Sequence, residues 1–493
     1  MCLSLLACAA IGMSGALNDY FGIHVVDEAT GRGVPLVCLE TVNKARFYTD
    51  SAGYVAFNEP GLMGRKVFLS FTSSGYEFPK DGFGYEGTGL ITRPGTIQTV
   101  KLKRLNVAER LCRLTGQGIY RDSELLGKRP SNATSALVAE VMGQDTAQAE
   151  IYKGKMFWFW GDTDRPEYPL GNFHTTGAVA SLPRGNSDAS QGLEFRYFQD
   201  KNGFVRPMFS NSDPHPIWLS GVTVLGAGAA SEMFANFAEM ASLGKIMKSG
   251  YAKWNDVKEQ FEPTKEFSAE TGWRFLDGHT IRVTETGTTY AVGGFPCTTR
   301  VPADLRHLLD ASSYEAFTCL RSDGSVIKGS DGGPLYRWQK ESPPIGPQEE
   351  AELIAHKQIT LDQAHFLPVD ANGAMILPHG GCVHWNAYRH KWVAIFTRLH
   401  GKDSELGEIY YAEADAPSGP FRKAVKIFTH VKYTFYNPVH HEFLDRDGGR
   451  TIYIEGTYTA EFSGNPTPTP RYNYNQVLYR LDLSDPRLAF AHS

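Results

Sequence analysis

The sequence predicts an all-β protein: an N-terminal β-sandwich followed by a larger β-propeller. Three observations lead there. Aromatic residues make up 12% of the 493 residues, with 23 Tyr and 29 Phe, and such side chains favour pleated, half-buried strands. Fifty Gly and 27 Pro supply many turns. Short alternating strands recur along the whole length, each following a turn. The length suggests two or more domains, and 42% hydrophobic with 21% charged residues is ordinary for a globular chain.

Residues 1–16, MCLSLLACAAIGMSGA, are apolar and small, resembling the core and cleavage region of a secretory signal without its basic start. Leu5-Leu6-Ala7-Cys8 also resembles a lipoprotein cleavage box. The expectation is export, to a secreted, periplasmic or lipid-anchored location. No later run reaches the roughly 18 apolar residues of a membrane helix, so no transmembrane segment is predicted.

Residues 18–103 form the predicted sandwich. Ala29-Thr30-Gly31-Arg32-Gly33 and Asp50-Ser51-Ala52-Gly53 turn between alternating strands, and 66–78 and 96–104 close the set. Residues 104–127 read as a connector with helical character, since Leu105, Ala108, Leu111, Cys112 and Leu114 fall near helical spacing. From there to 485 aromatic strands recur at 156–163, 288–296, 390–398 and 451–459. Their irregular spacing suits a propeller with long insertions, not a short-period array. The weakest interval is 203–270, where AASEMFANFAEMASLGKIMKSG reads either as a helix or as a strand pair; a degenerate second blade is placed there.

The richest segment is VMGQDTAQAEIYKGKMFWFWGDTD, 141–164. Residues 142–152 predict one strand, Lys153-Gly154-Lys155 a turn, and 156–160 a second strand. Asp145 and Asp162 fall near strand ends beside Phe157, Trp158 and Trp160. Acid–base work on a sugar needs carboxylates in a semi-dry wall, and sugar faces stack on exposed aromatics. The same residues also suit two turn caps and a packed core.

Two phrases of 18–103, Thr-Gly-x-Gly-Val-Pro and Thr-Asp-x-x-Gly-Tyr-Val-x-Phe, resemble the carboxypeptidase-regulatory or transthyretin-like sandwich. GEIYYAEADAPSGPF, 407–421, resembles a phrase of five-bladed β-propeller glycosidases typified by glycoside hydrolase family 43. The GQDT…WFWGDT hairpin resembles the first blade of that clan. It is more similar still to a secreted bacterial propeller domain that includes arabinan-degrading hydrolases. The resemblance spans about 118–485 and implies five blades over 128–485. It also implies glycosidic-bond hydrolysis by carboxylates, with Asp145 at the base position and Asp162 matching the Gly-Asp-Thr aspartate. The acid motif of family 43 has no clean match, and Glu315 and Glu455 are the candidates for it; each equally suits a strand-end carboxylate held by an arginine.

His279, His384 and the pair His440 and His441 fall at or near predicted first strands, which line a propeller's axial channel. Converging there, they could bind substrate hydroxyls or carboxylates, hold an ion, or pack. The expected chemistry requires no cofactor, and no metal ligand is assigned, although a structural or axial-channel ion would suit such a histidine set. Trp160, Arg165, His174, Asn437 and Arg471 are further substrate-binding candidates. The expected partner is therefore a polysaccharide or oligosaccharide. A polysaccharide lyase using the histidines, or a non-catalytic glycan-binding propeller, are the alternatives.

A net charge of −5 with no basic run argues against a nucleic-acid partner. No Gly-x-Ser-x-Gly or phosphate-binding Gly-x-x-x-x-Gly-Lys-Ser/Thr occurs. Seven Cys without a Cys-x-x-Cys spacing give neither a disulfide scaffold nor a zinc site. Cys297 with Cys319 is the one pairing considered, against buried free thiols.

Overall fold

The computed structural model describes residues 19–128, 130, 138–182, 189–209 and 215–492. The predicted leader, 1–16, lies outside them. The chain is all-β and divides into two compact units: 1–105 with 120–133, and 106–119 with 134–493.

In the first unit, Phe21–Asp27 pairs antiparallel with Tyr54–Phe57 and parallel with Ile97–Arg104. A second sheet runs in the order Arg46–Tyr48, Cys38–Thr41, Lys66–Thr72, Gly87–Ile91. Lys66–Thr72 shows why the strands form where they do. Its burial alternates, and Val67, Leu69 and Phe71 enter a core shared with Ile23, Val25 and Val55 of the other sheet. The expected connector divides between the units. Its helix, Arg121–Leu125, belongs to the first, where Asp122 accepts from the Ala56 amide and Asp50 accepts from the amide and hydroxyl of Ser123.

The other half of that connector is a correction. Glu109–Arg113 is a strand, not a helix, and it pairs with Asn475–Asp482 as the outer strand of the last sheet. All five of its residues are buried, so a run buried on both faces had passed for helical periodicity.

Among the described residues, the second unit holds five antiparallel sheets of four or five strands in sequence order. Their first strands are Gln148–Tyr152, Ile217–Leu225, Ile281–Glu285, Pro378–Asn386 and Thr434–His440. The four aromatic segments supply second strands: Lys155–Trp160, Thr288–Gly293, Lys391–Arg398 and Thr451–Thr459. The uncertain interval resolves as Glu232–Ser242 and Lys245–Asn255, joined at Gly244.

Successive sheets share cores. Phe157 and Phe159 of the first pack with Leu219, Met233 and Trp254 of the second. Phe234 and Tyr251 of the second pack with Ala291 and Val301 of the third, and Val292 and Phe317 of the third with Val383 and Phe396 of the fourth. The Thr397 hydroxyl donates to the Phe435 carbonyl, fourth to fifth. The fifth returns to the first region: the Gln476 amide donates to the Gln144 carbonyl, and the Thr146 amide to the Thr457 hydroxyl. Cys38, Cys112, Cys297, Cys319 and Cys382 are all free thiols, so Cys297 and Cys319 are not bridged.

Candidate functional sites at two ends of the first strands

The predicted strand 142–152 is interrupted. Gly143–Gln144 pairs with Thr163–Arg165 in a small separate sheet, and Gln148–Tyr152 begins the first large one. Asp145 and Thr146 occupy the break, with Thr146 at φ 49°. At the break four donors reach the Asp145 carboxylate, the Thr146 side chain among them. The Asp162 amide donates to Oδ1 at 2.8 Å, the Tyr436 hydroxyl donates to Oδ2 at 2.7 Å, and the Tyr474 side chain also bonds it. Gly161 explains the Gly-Asp-Thr phrase. Its amide donates to the Asp145 carbonyl, and a Cβ there would lie 2.3 Å from Asp145 Oδ1. Only glycine permits that approach.

The two carboxyl groups have different surroundings. Burial raises the Asp145 pKa, and its hydrogen bonds oppose the shift by stabilising the anion. Asp162 is raised to about 7, first by burial and then by the Asp145 charge, with Glu461 and Asp164 adding to it. One donor opposes this: Trp218 Nε1 reaches Asp162 Oδ1 at 3.1 Å while also donating to the Phe173 carbonyl. Glu461 is itself raised, first by desolvation and then by the Asp145 and Asp164 charges. Further along the strand that carries Trp218, the Ser220 hydroxyl bonds the exposed carboxylate of Asp277.

A cavity of about 470 Å³ lies elsewhere in this unit. Residues 148–151 and the Lys153-Gly154 turn line it, with 222–224, 226–228, 279–282, His384, Trp385 and 439–443. The placement follows strand direction. Asp145 precedes Gln148–Tyr152, Trp218 stands early in Ile217–Leu225, and Tyr436 stands early in Thr434–His440. The cavity residues Ile151, Val224, His384 and His440 stand late in their strands. Neither Asp145 nor Asp162 lines the cavity, which reaches from Gln148 and Ala149 at the start of the first strand to these later residues.

His279, His384, His440 and His441 all line this cavity. His279 is lowered to about 3, by burial and then by the charges of His384 and His441. At His384 burial favours the neutral ring, but Cys382 and Glu442 outweigh it and push the ring up to about 9. Glu442 lies 3.5 Å from His384 Nδ1, an ion-pair distance, and no closer partner meets either ring nitrogen in hydrogen-bond geometry. His440 Nε2 meets Asp445 at 2.8 Å, and its Nδ1 has no partner. Glu150 is raised to about 8 by burial and then by Glu442, against the pull of Arg282. Among the described residues, no group of three or more His, Cys, Asp or Glu is arranged to hold a metal ion.

The remaining candidates fall elsewhere. Glu455 is fully buried behind His441: its Oε2 accepts from Trp158 Nε1 at 3.0 Å and lies 2.6 Å from His441 Nε2. Glu315 is set apart from both sites, on the fourth strand of the third sheet, where Arg300 Nε holds it at 2.7 Å. Trp160 is a core residue with no exposed face, edge-on to Phe195. Arg165 stacks over Phe204 and pairs with Glu167 and Glu140. His174 Nδ1 accepts from the Ile217 amide, near Trp218. Asn437 donates to the Thr146 hydroxyl, beside Asp145. The carbonyl of Arg471 accepts from Arg113. Sequence reasoning missed Tyr436, Tyr474, Trp218, Glu461 and Asp277 on the carboxylate side, and Glu150, Arg282 and Glu442 at the cavity. Tyr436 and Glu442 flank residues that were singled out, which was the only available signal.

No family model matches the chain, and no curated protein sequence matches it. Solved structures do. A candidate hydrolase from Bacteroides ovatus is 13% identical, with a TM-score of 0.42, covering 70% of this chain and 86% of that one. The GH43_1 enzyme from Xanthomonas citri complexed with xylose is 13% identical, with a TM-score of 0.34, covering 70% and 88%. The exo-β-1,3-galactanase from Phanerochaete chrysosporium with β-1,3-galactotriose is 10% identical, with a TM-score of 0.37, covering 76% and 64%.

Proposed function

We propose that the second unit is a five-bladed β-propeller that hydrolyses glycosidic bonds of a polysaccharide, with Asp145 and Asp162 as its working carboxylates. The first unit is read as an accessory sandwich, and the leader as an export signal. Five successive sheets, the first four joined pairwise by shared cores and the last completed by Glu109–Arg113 from the start of the unit, support the propeller reading.

One observation carries the chemistry: two adjacent carboxyl groups whose environments differ. Glycoside hydrolysis needs one carboxylic acid and one carboxylate around the scissile bond. Asp162, raised to about 7, retains a proton near neutrality and is suited to protonate the leaving oxygen. Asp145, held by the Asp162 amide, Tyr436 and Tyr474, is suited to act as the charged base or nucleophile. Trp218, partly exposed and bonded to Asp162, offers an aromatic face to a sugar ring.

The test is a polysaccharide panel with reducing-end detection, run on the wild-type protein and on Asp145→Asn. New reducing ends that disappear in a folded Asp145→Asn support the assignment. Product absorbing near 232 nm would instead identify a lyase, and binding without product a glycan-binding module.

A further inference from the structure

We infer that the histidine-lined cavity is a second sugar site, separate from the carboxylate pair, that binds an acidic sugar through its carboxylate. The cavity volume of about 470 Å³ suits a ligand of one or two sugar rings. Its wall is short of partners in a specific way. The His384 ring has no close hydrogen bond, only Glu442 at 3.5 Å from Nδ1 and the Cys382 thiol, and His440 Nδ1 has none, although all three ring nitrogens are buried. Buried polar atoms are nearly always bonded, so orphaned ones lining a cavity mark where a ligand atom goes.

The orphaned groups favour an acceptor. The His384 ring is pushed up to about 9 and, as an imidazolium, offers two N–H donors. The Arg282 guanidinium also lines the cavity; among its hydrogen bonds is a long one to the Gly226 carbonyl, at 3.4 Å. Ser231 and Thr223 add hydroxyls at the wall. Glu150 would repel an anion if charged, but with its pKa raised to about 8 it is mostly protonated at neutral pH and can donate. Glu442 faces His384, which lowers its pKa, and Asp445 is taken up by His440 Nε2 at 2.8 Å. A carboxylate accepts from several converging donors, whereas an ammonium or a metal cation would meet an imidazolium and a guanidinium.

The sugar part rests on the indoles. Trp385 and Trp392 both line the cavity, in an edge-to-face pair 5.7 Å apart, and Trp385 is 45% exposed. An exposed indole beside hydroxyl and imidazole groups is a stacking platform for a pyranose face. Together these features select a hexuronate over a simple anion.

The proposal predicts how the full-length protein binds D-glucuronate and D-galacturonate, measured by titration calorimetry beside D-glucose and D-galactose. At least one uronate should bind ten-fold or more tightly than its neutral counterpart. Arg282→Gln, at an exposed side chain, should weaken that binding about ten-fold, and His384→Gln at least as much. Trp385→Ala should weaken it too, while leaving the preference over acetate smaller. Since His384→Gln alters a buried position, Arg282→Gln keeps the test valid if that variant fails to fold. Equal affinity for uronates and neutral sugars, acetate binding as tightly as the uronates, or uronate binding undiminished in Arg282→Gln would each overturn the proposal.

Discussion

The surroundings of Asp145 and the histidine-lined cavity are built from different residue types and satisfy them differently. Each oxygen of Asp145 has a donor, and the carboxylate is fixed in place by a backbone amide and tyrosine side chains. In the cavity, His440 Nδ1 bonds nothing, and the His384 ring has no partner in hydrogen-bond geometry, only Glu442 at 3.5 Å from Nδ1. Satisfied buried groups give a rigid constellation, which chemistry requires, because catalytic groups work from preset positions. Unsatisfied ones give a receptor, because a ligand completes them. On the proposed reading, the contrast separates a reacting group from a binding cavity within one sheet set.

The largest effect should come from breaking the reacting group. Asp145→Asn keeps the size and removes the charge, so turnover on a confirmed glycan should fall by ~10²-fold or more, with the melting temperature little changed. Asp162→Asn should cost a similar factor with substrates whose leaving group needs a proton. An equal loss in His384→Gln, with near-normal rates in Asp145→Asn, would exchange the roles of the two sites.

Next comes the buried pair behind the cavity. Glu455 is fully buried and joins Trp158 to His441. Glu455→Ala removes one partner and leaves His441 and the indole N–H unmet, at a cost of about 3–5 kcal/mol. Denaturant unfolding should show it as a lower midpoint. A loss below about 1 kcal/mol would mean that Glu455 holds little together, and that the carboxylate is available for another role.

How much of this the sequence disclosed depends on distance along the chain. Asp145 and Asp162 could be paired from one hairpin, because Gly161 and the turn lie between them. Their donors could not: Trp218, Tyr436 and Tyr474 come from other sheets, and no local pattern records which strand will lie alongside. The same limit explains Trp160 and Glu315. A period of two places a side chain on one of two faces but does not say which face meets a neighbouring sheet. Trp160 faces Phe195 and Tyr197 in the core, and Glu315 meets Arg300 across its own sheet. The aromatic strands were legible because each follows a local turn. Glu109–Arg113 was not, because its partner strand lies more than 350 residues away.

A smaller effect sharpens the comparison through pH. Asp162 is the acid of the pair only if its proton persists near neutrality, so kcat/KM should fall as pH rises through about 7. Placing that limb with Asp162→Glu, which keeps an acid in altered surroundings, should move it. A limb that stays put in Asp162→Glu would assign it to another group.

The smallest effect concerns stability at the same residue, and its sign is informative. Asp162 has a folded pKa raised to about 7, above its unfolded value near 4. The unfolded chain therefore loses its proton first. The contribution to stability is fully present below about pH 4 and is lost as pH rises towards 7. At pH 8 the wild-type protein carries a partly buried charge beside Asp145 and Glu461, and Asp162→Asn relieves it. The variant should then be more stable than wild type by on the order of 1–2 kcal/mol after allowing for solvent screening, with the advantage gone at pH 4. Thermal melts of both proteins at the two pH values read this directly. A variant that gains stability while losing turnover would show strain held at the reacting group. If Asp162→Asn is less stable than wild type at pH 8, its carboxylate is a structural anchor and Asp145 has lost its proposed acid partner.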